Sequence, residues 1–113
     1  MANTFKLKTK AAIDASLVTV YTVPSSTTTV IIGLTISNVK GAAVTADAQL
    51  VTASSSGENA DDVYIAKDIP LPTGSSVEIM AGNKIVMETG DIIKVKASVV
   101  NGVDALLSVM EIT

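Results

Sequence analysis

The chain has no cysteine, no histidine, no tryptophan and no arginine, and its 113 residues include only three prolines, two tyrosines and one phenylalanine. Without cysteine there is no disulfide framework, no thiolate nucleophile and no thiolate ligand for a metal. Without histidine the usual general base and the usual zinc ligand are missing, and with them the hydrolytic triads. All eight basic residues are lysines and the formal net charge is −3. The forked contacts that arginine makes with phosphates and guanine edges are therefore unavailable, and nucleic acid is not an expected partner. The opening MANTFKLKTK lacks the apolar core of about 7 residues that a signal peptide needs. No run elsewhere approaches the roughly 20 apolar residues of a membrane-spanning helix. Neither secretion by that route nor a membrane role is expected.

What the chain does have is β-branching: Val, Ile and Thr together number 39. Such side chains lose χ1 freedom in helices and pack well on a pleated sheet, so the composition favours strands. The length fits one domain over residues 1–113, large enough to bury a core without covalent staples. Mean hydropathy is high at +0.49. A small sandwich has limited interior for so many apolar groups, and the excess points to contacts between subunits of a homo-oligomer.

Along the chain, Phe5 and Leu7 alternate with Lys6, Lys8 and Lys10, the pattern of an edge strand or subunit-clasping arm over residues 1–10 whose lysines face outward. Residues 11–16 read as a loop, and residues 17–23 as a strand ended by Pro24. TTVIIGLTISN, residues 28–38, is the strongest strand; alternation puts Val30, Ile32, Leu34 and Ile36 on one face, with Gly33 as a bulge, a close approach of neighbouring backbone or a tolerated small residue. Residues 44–52 alternate Val44, Ala46, Ala48 and Leu50 against a wet face of Thr45, Asp47 and Gln49.

Residues 69–113 are four apolar runs cut by Thr73-Gly74, Gly82-Asn83, Gly90-Asp91 and Asn101-Gly102, the spacing of a small antiparallel sandwich or barrel. Gly82-Asn83 suits a tight hairpin between residues 77–80 and 84–87, and Asn101-Gly102 one between residues 91–98 and 105–112. Gly90-Asp91 reads as a glycine at positive φ followed by a turn carboxylate. The last strand places Leu107 and Val109 on one face and Leu106, Met110 and Ile112 on the other. Two apolar faces on one strand mean a second cover, supplied by another subunit, the N-terminal arm or a loop. Phe5, Leu7, Leu106, Met110 and Ile112 are the candidate interaction residues.

For chemistry there remain eleven carboxylates, most of them in turns or on polar faces. Glu58, Asn59, Asp61 and Asp62, in the polar segment SSSGENADD, form the one dense oxygen cluster. Calcium takes six to eight oxygens from such loops, but this spacing matches no dedicated calcium loop, and a solvated surface loop explains it. No catalytic residue, metal site or cofactor is expected, and the chain is not expected to be an enzyme. A glycan-binding adhesion module using the 54–62 loop is a rival, poorly supplied with aromatic rings.

Two blocks, VYTVPSSTTTVIIGLTISN at 20–38 and YIAKDIPLPTGSSVEIMAGNKIVMETGDIIKVKAS at 64–98, with the closing SVMEIT, resemble small bacteriophage virion structural proteins of the cyanophage and marine-phage type. The resemblance implies an all-β fold, an antiparallel sandwich of jelly-roll or Ig-like form with about eight to nine strands. It implies a virion protein assembled in the host cytoplasm and, first, a capsid decoration (cement) protein bound to the major capsid protein, with a trimer as the favoured homo-oligomer. A tail adaptor, tube or fibre component bound to other virion proteins is the alternative. The acidic 54–62 loop departs from the family pattern.

Overall fold

The computed structural model describes residues 2–53 and 61–113, and nine strands run through them: β1 (Asn3–Ile13), β2 (Val18–Thr22), β3 (Thr28–Asn38), β4 (Val44–Val51), β5 (Val63–Leu71), β6 (Ser76–Glu78), β7 (Ile85–Met87), β8 (Ile92–Ala97) and β9 (Val103–Ile112). They form two antiparallel sheets. One has the order β1-β9-β3-β6, with β7 also on β3; the other has the order β2-β8-β4-β5. The pairs nest from the ends of the chain inward: β1 with β9, β2 with β8, β3 with β6 and β7, β4 with β5. With β6 and β7 counted as one interrupted strand, this nested ribbon folded into two sheets is the jelly-roll arrangement, which resolves the two sandwich forms left open by the sequence.

The core between the sheets is aliphatic. Ile31, Leu34, Ile36, Val103, Leu107 and Val109 from one sheet meet Val44, Ala46, Ala48, Ile93, Val95 and Ala97 from the other, all buried. Each fully buried Ile, Leu or Val contributes roughly 1.5–3 kcal/mol relative to an exposed one. Asn38 closes one end. Its Nδ2 donates to the carbonyls of Ala42 and Leu71 at 2.9 Å and Pro72 at 3.2 Å, and its Oδ1 accepts from the Lys40 N–H at 2.7 Å. Among the described residues no buried side-chain nitrogen or oxygen lacks a partner.

The expected hairpin around Gly82-Asn83 does not form. β6 and β7 both pair with β3, at Thr35–Ser37 and at Thr29–Ile31 respectively, and the chain between them loops out through Ala81 and Gly82, both at positive φ. The interruption lies opposite a bulge in β3, whose register against β9 shifts between Ile31 and Gly33. Ile32 is the extra residue, and Gly33, paired with Ser108, marks the bulge by following it directly. The same bulge corrects the expected faces, placing Ile31 in the core with Leu34 and Ile36 and turning Ile32 outward.

Asn101-Gly102 does not join a hairpin either, because β8 and β9 belong to different sheets and the turn crosses between them. Residues 11–13 are strand rather than loop. β1 continues through a register shift between Lys10 and Ile13, steadied by the Ala12 N–H donating to the Asp104 carboxylate at 2.8 Å.

Candidate functional site

The five predicted interaction residues come together on the outer face of the five-stranded sheet. β1 is an edge strand, as expected, but its side chains point the other way. Lys6 turns toward the sandwich and pairs with Glu111 at 2.9 Å, and Lys8 lies over the Tyr21 ring with Nζ 5.9 Å from its centroid. Phe5 and Leu7 therefore face solvent, 72% and 64% exposed. The inversion has a physical cause: β9 presents a buried carboxylate, Glu111, on its inner side next to the edge, and lysine stems can cover that side while their ammonium groups meet the charge.

Register then builds a row across four strands. Phe5 of β1 pairs with Met110 of β9, Met110 with Val30 of β3, and Val30 with Val86 of β7. Directly paired residues in an antiparallel sheet share a face with Cβ atoms about 5 Å apart, so this is one continuous apolar ridge. On one side of it lies the row Asn3, Ile112 and Thr28; farther along on the other side lies the row Thr9, Leu106 and Thr35. Ile32, 39% exposed, stands on the bulge between. From the first of these rows to the last, no ionisable side chain points outward from β1, β9 or β3. Val30, Ile32 and Val86 belong to this surface and were missed in the sequence, the first two because the bulge reverses the alternation and the third because its strand is only three residues long.

Beneath the face, at the edge, sits a polar cluster. The Tyr21 hydroxyl donates to Glu111 Oε2 at 2.6 Å and shares a 2.8 Å hydrogen bond with the Thr29 hydroxyl. The hydrogen bond from Tyr21, then that from Lys6, holds the Glu111 carboxyl below its ordinary value. Burial, reinforced by the carboxylate beside it, pushes the Tyr21 phenol up to about 12. These groups lie together at the sandwich edge, where β1, β2, β3 and β9 meet.

Asp47, read as lying on a wet face, is buried. It does sit on the outer side of β4, but β5 bulges over it: its Oδ1 accepts from the Asp68 N–H at 2.7 Å and its Oδ2 lies 3.5 Å from the Lys67 ammonium. The adjoining cleft, about 260 Å³, is lined by Asp47, Asp68, Lys96 and Ser98 among others. Asp91 accepts from the N–H groups of Ala53 at 2.9 Å and Glu88 at 3.0 Å, while Gly90 takes φ 90°, so this pair is the turn device expected of it.

Of the oxygen cluster, Glu58 and Asn59 lie outside the described residues. Asp62 accepts from the Thr52 N–H at 3.1 Å and the Asp61 carbonyl from the Thr52 hydroxyl at 3.2 Å, so both tie down the base of the loop. No group of three or more acidic side chains close enough to hold a metal occurs among the described residues, and no helix there is long and apolar enough to cross a membrane.

No protein-family model and no curated protein matches the chain. A solved structure that does match is that of a Bacillus endospore appendage, from a family of disulfide-linked pili. The identity is 12%, the TM-score 0.50, and the alignment covers 99% of this chain and 87% of that one. At that identity the likeness is one of fold, and the all-β sandwich is what the two chains share.

Proposed function

We propose that the protein is a structural subunit of a repeating protein assembly, joined to it through the outer face of its five-stranded sheet. The observation that carries this reading is the ridge Phe5–Met110–Val30–Val86, an uncharged apolar row on the face of a sheet that would otherwise meet water. Solvated sheet faces are normally polar, and an apolar patch of this continuity marks a contact surface.

The assembly is a phage head, on which the protein serves as a decoration protein; the resemblance of residues 20–38 and 64–98 to virion structural proteins supports this choice. A subunit that binds only the completed shell stabilises it by mass action, to an extent set by its affinity and concentration. The test is to purify tagged virions, separate heads from tails, and quantify the protein in each fraction by mass spectrometry. High copy number with heads is the expected result, and Phe5→Lys should reduce it. A few copies with tails would move the protein to a tail tube, adaptor or fibre.

The match to a pilus subunit favours a second reading, a filament. The chain has no cysteine, so such a filament would be held by non-covalent contacts alone. Electron microscopy of the purified protein separates the readings: filaments formed by the isolated chain support the second, and particles that bind only to preformed shells support the first.

A further inference from the structure

Resting on the outer sheet face as the assembly surface, we infer that its immediate occupant is a second copy of the same face, related by a two-fold axis that runs along the strands midway between β3 and β9. The ridge is uncharged, and the charges beside it, Glu88 against Thr28 and Glu78 against Thr35, are carboxylates at the β6–β7 margin; about the stated axis they fall over Asn3 of the partner subunit and Thr9 of the partner subunit, not over each other. The surface that matches the ridge is therefore another uncharged, pleated β-face that keeps these carboxylates apart. Its own ridge is of that kind, and it is graded in size. In the order Val86, Val30, Met110, Phe5, small side chains occupy the β7–β3 half and long ones the β9–β1 half.

Rotation about the stated axis lays the ridge on itself in reverse. Phe5 then falls over Val86 of the partner subunit, and Met110 over Val30 of the partner subunit, so that each large side chain meets a small one. Interdigitation of this kind is how two sheets pack about 10 Å apart in a sandwich core. Two-fold symmetry makes the contact close on itself after one pair, which gives a dimer rather than the trimer expected from the sequence.

The area is that of a small, reversible interface. Three strands of seven residues and β7 with three, at about 4.8 Å spacing and about 3.4 Å rise, give a footprint of roughly 390 Å² per copy and about 800 Å² for the pair, at the weak end of specific interfaces. The exposure of Phe5 and Leu7, which no contact within one chain relieves, is then removed.

The experiment uses the full chain in two arms. Sedimentation velocity across the micromolar range should show a dimer, and Phe5→Lys, at a side chain that is mostly exposed, should raise the dissociation constant about ten-fold or more while circular dichroism stays unchanged. Because the native chain has no cysteine, Phe5→Cys and Val86→Cys can be made singly, mixed and oxidised. The mixture should form a 5–86 cross-linked pair. Phe5→Cys alone should not cross-link, because the two copies of residue 5 lie at least 14 Å apart, about three strand spacings. A monomer at every concentration overturns this inference; if Phe5→Lys nevertheless abolishes particle binding, the assembly surface stands and its occupant is something else. A dimer indifferent to Phe5→Lys, or one that cross-links through residue 5 alone, overturns the proposed pairing.

Discussion

Lys6 reaches over the edge of the sandwich to Glu111, 2.9 Å away, and together with Lys8 over the Tyr21 ring it occupies the inner side of the first strand. Because the lysine is spent on the inner side, its neighbours Phe5 and Leu7 are left facing out. The ion pair is half-exposed at the lysine end, so its own worth is at most about 1 kcal/mol. Its larger effect is on which side chains the strand shows to a partner.

The carboxylate of Glu111 is held below its ordinary value, so its contribution to stability is complete above pH 4.5 and is lost as pH falls through the lower folded-state value. Urea midpoints measured between pH 6 and about pH 2.5 should therefore decline steeply on the acid side. Glu111→Gln should cost about 1–3 kcal/mol at pH 7 and flatten that decline. An equally steep acid limb in the variant would show that other carboxylates control it.

Tyr21 gives the opposite limb. Its phenol ordinarily ionises at 10.0 and here is pushed up to about 12, so the folded state keeps the proton where the unfolded chain loses it. The stability so held is present below pH 10 and disappears as pH rises toward 12. It amounts to roughly 2–3 kcal/mol at about 1.4 kcal/mol per pH unit. Tyr21→Phe should remove this alkaline dependence; a midpoint that still falls over the same range would assign it elsewhere.

Gly90 tests a turn near this cluster, its N–H donating to the carbonyl of Val23 at 3.0 Å. It holds φ 90°, and a Cβ there would lie 2.9 Å from the Ala53 Cβ. Gly90→Ala should cost about 1–3 kcal/mol from strain and crowding together, seen as a lowered melting temperature. An unchanged melting temperature would mean that the turn relaxes freely.

Strand positions were legible wherever composition and turn chemistry acted locally. Residues 28–38 are β3 to the residue, and Gly74, Gly82 and Gly90 all take positive φ in turns named from the sequence. The pairing was not legible, since a Gly-containing turn looks the same whether it joins two strands of one sheet or carries the chain from one sheet to the other, as Asn101-Gly102 does. The candidate face was suggested by apolar doubling on β9, and Phe5 and Leu7 by their alternation with lysines along an edge strand. Lys6 and Lys8 were turned the wrong way because their partners, Glu111 and Tyr21, come from about 100 and 15 residues away, and no local pattern encodes them. Ile32 and Val30 were exchanged with Ile31 by a bulge that alternation alone conceals.

That bulge is held by Glu78, and it provides a way to disturb the face without removing any of its apolar side chains. One carboxylate oxygen accepts from the Leu34 N–H at 2.6 Å and the other from the Ala81 N–H at 2.8 Å, so Glu78 ties β3 just past its bulge to the turn that interrupts its neighbour strand. The same carboxylate stands where a side chain on Gly33 would reach, with Oε2 3.2 Å from the ideal Cβ position. Glu78→Ala should leave both N–H groups without their partner, at a cost of about 1–3 kcal/mol. Their amides, and those of Ile32 and Gly33, should exchange faster with solvent while the core strands β8 and β9 stay protected. If the bulge sets the outward direction of Val30 and Ile32, assembly should weaken in this variant although every apolar side chain of the face is still present. Undiminished assembly with fast exchange at Leu34 and Ala81 would show that the face tolerates a loosened bulge. Slow exchange at both amides would show that the backbone around the bulge holds without Glu78.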